Sequence, residues 1–374
     1  MDFKLIQFTQ VDSEQWDTWV SKLDFSTYYH SWSWLNCLSQ FNYVKKNLTF
    51  ALFDKQNDKL LAICPFALSV FEDDEYHYAS FGYFPCGVPA LATISAKDRR
   101  ILLDEIFRIF ASYIQTYSIV KLSMATHPLN QASFAGKAGF YNEYSMELLR
   151  YGMWYQIENT VVIDLSKSEP DLVNDVSRYH FRHVKKARKK GIEVKVYNAK
   201  ENQEEAEEFF NKMREAHFIS AGRETRPRGT WDAMYRGLLD DKASLFVAFD
   251  GEKTASYLYC GEFGSMAFGW SQVNTPEYTQ SSVRHLLEWE AILFYKKSKK
   301  YKFYEVGERY YGPQFFSIPS EKELSISVFK ERYGGVLLPT IKWFGYADLD
   351  IMKKDLDTQI QTYKSSMSLL SIPT

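Results

Sequence analysis

The segment SLFVAFDGEKTASYLYCGEFGSMAFGWSQV, residues 244–273, decides the fold. Its runs of apolar and aromatic residues are typical of strands, and the tetrapeptide DGEK at 250–253 is a hairpin signal between the first two runs. We therefore predict a meander of three strands. A long helix, SSVRHLLEWEAILFYKKSKK (281–300), and a strand, KYKFYEVG (300–307), are predicted to follow it.

The residues before the meander predict further helices and strands in the same half of the chain. In chain order they are a strand NTVVIDL (159–165), a helix SRYHFRHVKKARKK (177–190) that ends at Gly191 as its C-cap, a strand IEVKVYN (192–198), a helix EEAEEFFNKMREAHF (204–218) and another helix that ends near Leu239. The sequence thus predicts an α+β fold in which a mixed sheet is flanked by helices.

The first half of the chain follows a similar plan. Two predicted hairpins precede the helix DRRILLDEIFRIFASYIQTY (98–117), whose residues Ile101, Ile106, Ile109 and Phe110 are expected on one buried side, and the strand SIVKLSMAT (118–126) comes after it. A connector around Gly136 and Gly139 joins the two halves. We expect a duplicated fold with domains at 1–158 and 159–345, and a C-terminal helix or tail at 346–374 that packs back on the first domain.

Composition limits the class of protein. A length of 374 residues exceeds what one hydrophobic core usually supports, so two domains are expected. A net charge of −2 argues against a surface devoted entirely to nucleic acid. The four cysteines show neither CxxC nor Cys/His metal spacing, so we expect no metal site and a reducing cytoplasm. Neither a signal peptide nor a membrane span is expected. The 17% aromatic content indicates either long ligand grooves or aromatic-rich cores.

Two basic segments are candidate anion sites. The predicted helix at 177–190 has seven Lys or Arg residues and no acid, among them Arg182, Lys185 and Lys186. The loop GRETRPRG (222–229) concentrates Arg223, Arg226 and Arg228. Like charges at helical spacing favour a counter-anion, and the guanidinium group suits phosphate or carboxylate. A phosphate ligand, an acidic segment elsewhere in the chain and plain solvation remain alternatives for both segments.

The start of the helix at 281 is a third candidate anion site. Free amides and the helix dipole at this end attract anions, and Ser281 and Ser282 are the expected caps. Tyr278 and Arg284 lie on either side of them. In the following strand, Tyr304 and Glu305 are candidate catalytic residues because late strands commonly end at a site, although Glu305 could equally pair with an arginine. His285, which shares the helix with Trp289, is a weaker candidate for a base than for a packing residue.

Taken together, the second half resembles the Fem family of peptidyl and aminoacyl transferases, which belongs to the GNAT superfamily and has two GNAT-like domains. The resemblance covers roughly residues 160–345 and rests on KKARKKGIEVKV (185–196), on FFNKMREAHFISAGRETRPRG (209–229), on the block 274–307 and on FKERYGG (329–335). In the first half it is limited to STYYHSWSWL (26–35) and PCGVPAL (85–91). The chain departs from acetyl-CoA-dependent relatives at TQSSVRH (279–285), where serines and a valine replace the glycines of a pyrophosphate loop.

The resemblance implies two tandem GNAT-like domains and an N-acyltransferase. Lys330 would supply positive charge to the oxyanion or to a donor phosphate, and Phe329 would pack against the donor and exclude water. The donor would be acyl-CoA or aminoacyl-tRNA, used as a co-substrate, with no tightly bound cofactor. The acceptor would be the amine of a cell-envelope precursor, such as an amino sugar or a peptide, with a role in polysaccharide synthesis as one option.

The sequence leaves some choices open. A protein of this kind is expected in the cytoplasm as a monomer or dimer, with tRNA as a possible partner. The alternative function is a catalytically degenerate GNAT-like protein that binds a nucleotide-linked glycan or RNA for partner enzymes, and the missing glycines favour that alternative. Whether Glu305 or His285 would act as a base is not decided by the sequence.

Overall fold

The computed structural model describes residues 2–71, 75–136, 143–279, 281–312, 314 and 318–367. The chain divides into two compact units. Unit 1 comprises Met1–Glu158, Tyr310–Ile326 and Pro339–Thr374, and unit 2 comprises Asn159–Arg309 and Ser327–Leu338. Gly139 of the predicted connector and residues 368–374 of the predicted tail lie outside the described residues.

The first stretch of chain, up to the start of unit 2, is rich in short strands. Its elements are β1 (Phe3–Gln7), α1 (Ser13–Ser21), α2 (Trp32–Leu38), β2 (Val44–Asn47), β3 (Phe50–Asp54), β4 (Lys59–Cys64), β5 (Ala67–Ser69), β6 (His77–Ala79), β7 (Cys86–Gly87), β8 (Ala90–Leu91), α3 (Ala96–Thr116), β9 (Ile119–Thr126), α4 (Gln131–Phe134) and β10 (Trp154–Asp164). Strand β10 continues into unit 2.

The second stretch forms most of unit 2 and has longer elements. They are α5 (Glu169–Asp175), α6 (Arg178–Lys189), β11 (Ile192–Tyr197), α7 (Ala199–Ala221), α8 (Arg228–Leu239), β12 (Ala243–Asp250), β13 (Lys253–Phe263), β14 (Met266–Asn274), α9 (Val283–Ser298) and β15 (Phe303–Arg309). The chain ends with α10 (Glu321–Glu331), β16 (Val336–Tyr346) and α11 (Leu349–Met367).

The sheet of unit 2 has the strand order β11-β12-β13-β14-β15-β10. All neighbours are antiparallel except β14 and β15, which are parallel. The predicted meander is confirmed, because Asp250 at the end of β12 pairs with Lys253 at the start of β13 across the DGEK turn. Gly251 in that turn has φ +61°, a conformation that glycine adopts at little cost.

The core of unit 2 lies against helices α6 and α9, which also pack on each other. Ser177 caps α6 by accepting a hydrogen bond from the His180 amide. The C-cap of α6 is Lys190, and Gly191, predicted as the C-cap, is the next residue and has φ +79°. On the inner side of α6, Val184 is fully buried and Phe181 packs against the core.

Unit 1 has two sheets. One has the order β1-β3-β4-β8, and in the other β16, β9, β6, β5 and β2 are successive neighbours, with β7 also paired to β9. Helix α3 covers buried apolar side chains, and its Phe110 ring lies 4.8 Å from that of Phe66. The predicted buried side of this helix was wrong at Ile101, which is exposed. Leu102 and Leu103 are buried with Ile106 and Phe110, because these positions follow the helical period more closely.

Strand β10 begins at Trp154, five residues before the predicted start. The buried side chains of this added part are Gln156 and Glu158, and Ile157 between them is exposed. Gln156 Nε2 donates to Glu158 Oε1 at 2.8 Å, and the Lys342 ammonium lies 2.6 Å from Glu158 Oε2. The polar residues therefore face inward with partners, which reverses the alternation by which a strand is usually recognised.

Candidate functional site

Strands β14 and β15 of unit 2 separate after only three residue pairs. The last pair is Phe268 opposite Glu305, although β14 continues to Asn274 and β15 to Arg309. Each strand has an irregularity immediately past that pair. In the ladder with β13, Trp270 is the extra residue between Gly269 and Ser271, and in the ladder with β10 the extra residue is Val306. Bulges bend a strand away from its neighbour. We call the resulting opening, bounded by residues 269–274 and 306–309, the β14–β15 cleft.

Lys330, near the end of α10, reaches the β15 side of this cleft. Its ammonium nitrogen lies beside the α-carbon of Gly307, so close that a Cβ there would overlap it. Gly307 also has φ +118°, which other residues rarely adopt. The Lys330 side chain is half-buried, and within the described chain it makes no hydrogen bond or ion pair. A half-buried cation without a fixed partner is available to a ligand's negative charge.

A buried carboxyl group, Glu288 of α9, lies close to the same strands. Tyr304 donates a hydrogen bond of 2.7 Å to Glu288 Oε1, and the Tyr304 hydroxyl is 3.7 Å from Cys260 Sγ. A Cβ on Gly269 would be 3.1 Å from the Tyr304 hydroxyl and 3.3 Å from Glu288 Oε1, so a glycine keeps this position open. The network therefore sits directly beneath the backbone at the mouth of the cleft.

Burial determines the protonation of this network. It raises the pKa of Glu288, while the Tyr304 hydrogen bond and the charges of Arg284 and Lys330 act in the opposite direction. Burial also raises the pKa of Tyr304 well above its usual value, so this residue remains a neutral phenol. A neutral phenol can donate a proton or a hydrogen bond, but it cannot act as a base.

Phe329 belongs to a histidine-aromatic cluster formed by His180, His183, His285, Phe329 and Tyr333. Its ring centroid is 4.7 Å from that of His180 and 5.1 Å from that of His285. The Arg284 guanidinium lies over the Phe329 ring at 3.8 Å, which is a cation–π contact. Phe329 thus packs on the side chains of α6 and α9 and fixes the helical turn from which Lys330 extends.

The histidines of this cluster are neutral at ordinary pH. Burial lowers the pKa of His180 to about 4 and that of His285 to about 3, and neighbouring cationic groups add to both shifts. Neither ring nitrogen of these two residues has a hydrogen-bond partner within the described chain. His285 therefore packs in the cluster, in agreement with the packing role favoured by the sequence.

Glu305, the other candidate on β15, is buried and hydrogen-bonded. The Thr160 hydroxyl on β10 donates to Glu305 Oε1 at 2.6 Å, which links the two strands at the level where β14 diverges. Tyr304 and Glu305 point to opposite faces of the sheet, as neighbours on a strand do. The structure thus places Tyr304 with Glu288 and Glu305 with Thr160.

The candidates at the start of α9 make contacts inside the protein. Ser282 precedes the helix, but its hydroxyl lies 2.8 Å from His183 Nδ1 and makes no capping bond. Ser281 Oγ accepts from the Val283 amide at 3.3 Å, and Tyr278 donates to Asp250 at 2.9 Å. The side chain of Arg284 is largely buried, and its Nε has no hydrogen-bond partner in the described residues.

The basic candidates on α6 lie on the surface of unit 2. Arg182, Lys185 and Lys186 are exposed. Arg182 lies over the Tyr179 ring and Lys185 over the Phe181 ring. The carboxylate of Glu290 on α9 is 2.7 Å from Arg188, and among the described residues no ion pair joins α6 to the acidic segment at 204–208.

The arginines of the 222–229 loop are divided among different contacts. Arg226 lies over the Trp231 ring at 5.0 Å, Arg228 pairs with Asp232 at 3.1 Å, and Arg223 contacts the Glu224 carbonyl oxygen. The loop therefore packs on the start of α8. The structure groups Lys330, Phe329, Tyr304 and Arg284 around one region, whereas Arg226 lies near Trp231 and His217.

Glu288 is the main site residue that sequence reasoning missed. A signal was present, because Glu288 lies four residues after Arg284 and on the same helical face as Ile292 and Tyr295, both buried. A carboxyl group in such a stripe is either paired or protonated. No candidate metal site, with three or more His, Cys, Asp or Glu side chains together, occurs within the described residues. Among the described helices, none has the length and apolarity needed to cross a membrane.

Comparisons with known proteins relate the chain to a family and to solved structures. Residues 178–312 match the family profile described as Acetyltransferase (GNAT) domain. FemX has 10% identity and a TM-score of 0.64, over 94% of this chain and 99% of that one. The C-terminal domain of a putative lysylphosphatidylglycerol synthetase from Agrobacterium fabrum has 8% identity and a TM-score of 0.56, over 96% of each chain. No curated protein matches the sequence.

L-PGS from Bacillus licheniformis also shares the fold, with 11% identity and a TM-score of 0.54, over 94% of this chain and 97% of that one. At such identities the likeness shows the fold alone. The predicted α+β class with GNAT-like units is confirmed, as is the resemblance to Fem-like proteins. Residues 178–312 therefore match the GNAT acetyltransferase domain, and the chain as a whole has a fold similar to that of FemX.

Proposed function

We propose that the protein is an N-acyltransferase that moves an acyl or aminoacyl group from acyl-CoA or aminoacyl-tRNA to the amine of a cell-envelope precursor. An amino sugar or a peptide is the acceptor class, and the cytoplasm is the compartment in which such donors are available. The observation that supports this proposal is the β14–β15 cleft within the GNAT-matching segment, with the ammonium of Lys330, which has no ion-pair partner among the described residues, at its β15 side.

The cleft suits the geometry of acyl transfer. Because β14 and β15 stop pairing at Phe268 and Glu305, backbone groups on the facing edges are available to hold an extended donor. A carbonyl placed between these edges would be open to attack by an amine. Holding the two reactants in that geometry supplies much of the rate, so no covalent enzyme intermediate is required.

Charge near the cleft suits the tetrahedral intermediate. When the amine attacks, negative charge develops on the carbonyl oxygen, and a fixed cation or donor stabilises it. In this proposal Lys330 supplies the cation, either to that oxygen or to a donor phosphate. Phe329 holds the last turn of α10, and Tyr304 supplies a neutral hydroxyl close to Gly269.

Donor choice is the direct test. The full-length protein is incubated with acetyl-CoA or with charged tRNA, each against a panel of amino sugars and short peptides, and products are identified by mass spectrometry. Transfer from one donor to an amine is the expected result. Absence of transfer from both donors across the panel would contradict the proposal.

A second candidate has one observation in its favour. The hydroxyls of Ser281 and Ser282 are engaged within the protein, and Val283 is buried at the first position of α9, where glycines would allow a pyrophosphate to approach. The lack of an open pyrophosphate site at the start of α9 is expected of a catalytically degenerate protein that binds a nucleotide-linked glycan or RNA. Tight binding of such a ligand by calorimetry, together with no transfer in the donor assay, would support the second candidate.

A further inference from the structure

His217, near the end of α7, is a histidine that the sequence analysis did not select. Its Nε2 lies 3.0 Å from Ser271 Oγ on β14, and its ring centroid is 5.4 Å from that of Trp231 on α8. These contacts hold the imidazole between two helices and the sheet. The His217–Ser271 hydrogen bond directly links α7 to the diverging part of β14.

Ser271 lies at the β14–β15 cleft. It comes three residues after Phe268, the last residue of β14 that pairs with β15, and directly after the bulged Trp270. On its other side, Ser271 pairs with Tyr259 of β13, so its position is fixed by the ladder. His217 is thereby attached to the β14 side of the cleft, whereas Lys330 belongs to the β15 side.

The imidazole of His217 is neutral at ordinary pH. Burial lowers the pKa of His217 to about 4, and the positive charge of Arg226 acts in the same direction. The groups that contact it from β14 and α8, Ser271 and Trp231, carry no charge. A neutral imidazole has one nitrogen with a free lone pair, so it can accept a proton.

One ring nitrogen remains available for this role. In the tautomer in which Nε2–H donates to Ser271 Oγ, Nδ1 carries the free lone pair, and it has no hydrogen-bond partner within the described chain. The ring nitrogens of His180 and His285 are fully buried and have no hydrogen-bond partner among the described residues, whereas His217 Nδ1 is not one of these fully buried atoms. A cavity of about 320 Å³ is lined by Arg214, Phe218, Glu224 and Trp231, and the ring of Trp231 also contacts that of His217.

We propose that His217, positioned by Ser271, is the base that takes the proton from the acceptor amine. This inference rests on the proposed function. The amine lone pair forms the new C–N bond, and the carbonyl π pair moves onto oxygen. His217 then takes one N–H proton. The electron pair on the oxyanion re-forms the C=O bond as the bond between the carbonyl carbon and the donor's sulfur or oxygen breaks, and the pair of the broken bond leaves on that sulfur or oxygen. The imidazolium returns the proton to the leaving group.

The test compares His217→Gln, which keeps a hydrogen-bonding group, with His217→Ala, which leaves space for imidazole. The donor and amine are the pair found active with the wild-type protein. We expect His217→Gln to lose 10²- to 10⁴-fold in kcat, the usual contribution of a general base, with little change in the donor KM or in Tm. Added imidazole should restore turnover in His217→Ala. His77→Gln, in unit 1, is the control and should retain wild-type kcat.

Two results would overturn the assignment. If His217→Gln lowers Tm but keeps kcat, or if imidazole fails to restore His217→Ala while the protein is folded, the residue is structural. If His217→Gln does not fold, Ser271→Ala provides the second measurement, because it leaves the imidazole in place and should lower kcat with Tm retained. Absence of turnover in the wild-type protein would be seen before any variant is made, and would overturn the proposed function together with this inference.

Discussion

The ammonium nitrogen of Lys330 lies where a side chain on Gly307 would have to be. A side chain added at position 307 would therefore displace the lysine. Glycine permits both the approach of the lysine and the backbone angle of φ +118°. This pair connects a local feature of β15 to the cation that we place at the reacting carbonyl.

Replacing Lys330 tests the cation itself. Lys330→Met keeps most of the stem volume and removes the charge, so we expect kcat to fall on the order of 100-fold with an unchanged Tm. The matched control is Lys322→Met, which removes an exposed lysine from the same helix. Equal turnover in the two variants would exclude Lys330 from the reaction.

Gly307→Ala tests the space that the lysine occupies. The new methyl group would displace the ammonium and strain the backbone, so both kcat and the unfolding free energy should fall, the latter by about 1–3 kcal/mol. Gly251→Ala is a suitable control, because Gly251 has φ +61° but nothing within 4 Å of its added Cβ. It should lower stability and leave kcat unchanged. A normal kcat in folded Gly307→Ala would contradict the role of the contact.

Glu288→Gln tests the buried carboxyl group. Because its pKa is raised, Glu288 stays protonated to a higher pH in the folded protein than in the unfolded chain. The stability of the folded protein therefore falls as pH rises from about 4.5 through the folded pKa. Glu288→Gln should therefore gain Tm relative to wild type more at pH 8 than at pH 4. Glu290→Gln, which removes a partly exposed acid paired with Arg188, should show no such gain. Parallel Tm curves for Glu288→Gln and wild type would refute the raised pKa.

His180→Phe tests the neutral histidine cluster. The pKa of His180 is lowered from 6.5 to about 4. As pH drops below about 6.5, His180 becomes protonated in the unfolded chain but stays neutral in the folded protein, so the stability of the folded protein falls. Between pH 6.5 and pH 5 this residue accounts for at most about 2 kcal/mol. Urea unfolding of His180→Phe should show a shallower loss over that interval. An unchanged slope would mean that other groups cause the acid sensitivity.

The sequence predicted the fold because its local signals agree with one another. The DGEK turn, the alternating runs of 244–273 and the Gly191 end of α6 each specify a local structure that the structure contains. The start of β10 escaped prediction because Gln156 and Glu158 face inward, where only tertiary partners make their burial favourable.

The candidate site was predictable only in part. The block around Phe329 and Lys330 stood out through the family resemblance, and Arg284 through its place near a helix start. Glu288 and His217 did not, because a single acid or histidine on a helix has no distinctive local pattern. Their significance depends on Tyr304 and Ser271, which come from strands distant in sequence.

The gap between β14 and β15 depends on one extra residue in each strand. Trp270 is an extra residue of β14 relative to β13, and Val306 is an extra residue of β15 relative to β10. Both lie just past the point where β14 and β15 stop pairing. A side-chain substitution does not change the number of residues in either strand. Deleting one residue from each strand would instead restore a continuous ladder, and the enzyme's opening would be replaced by ordinary sheet.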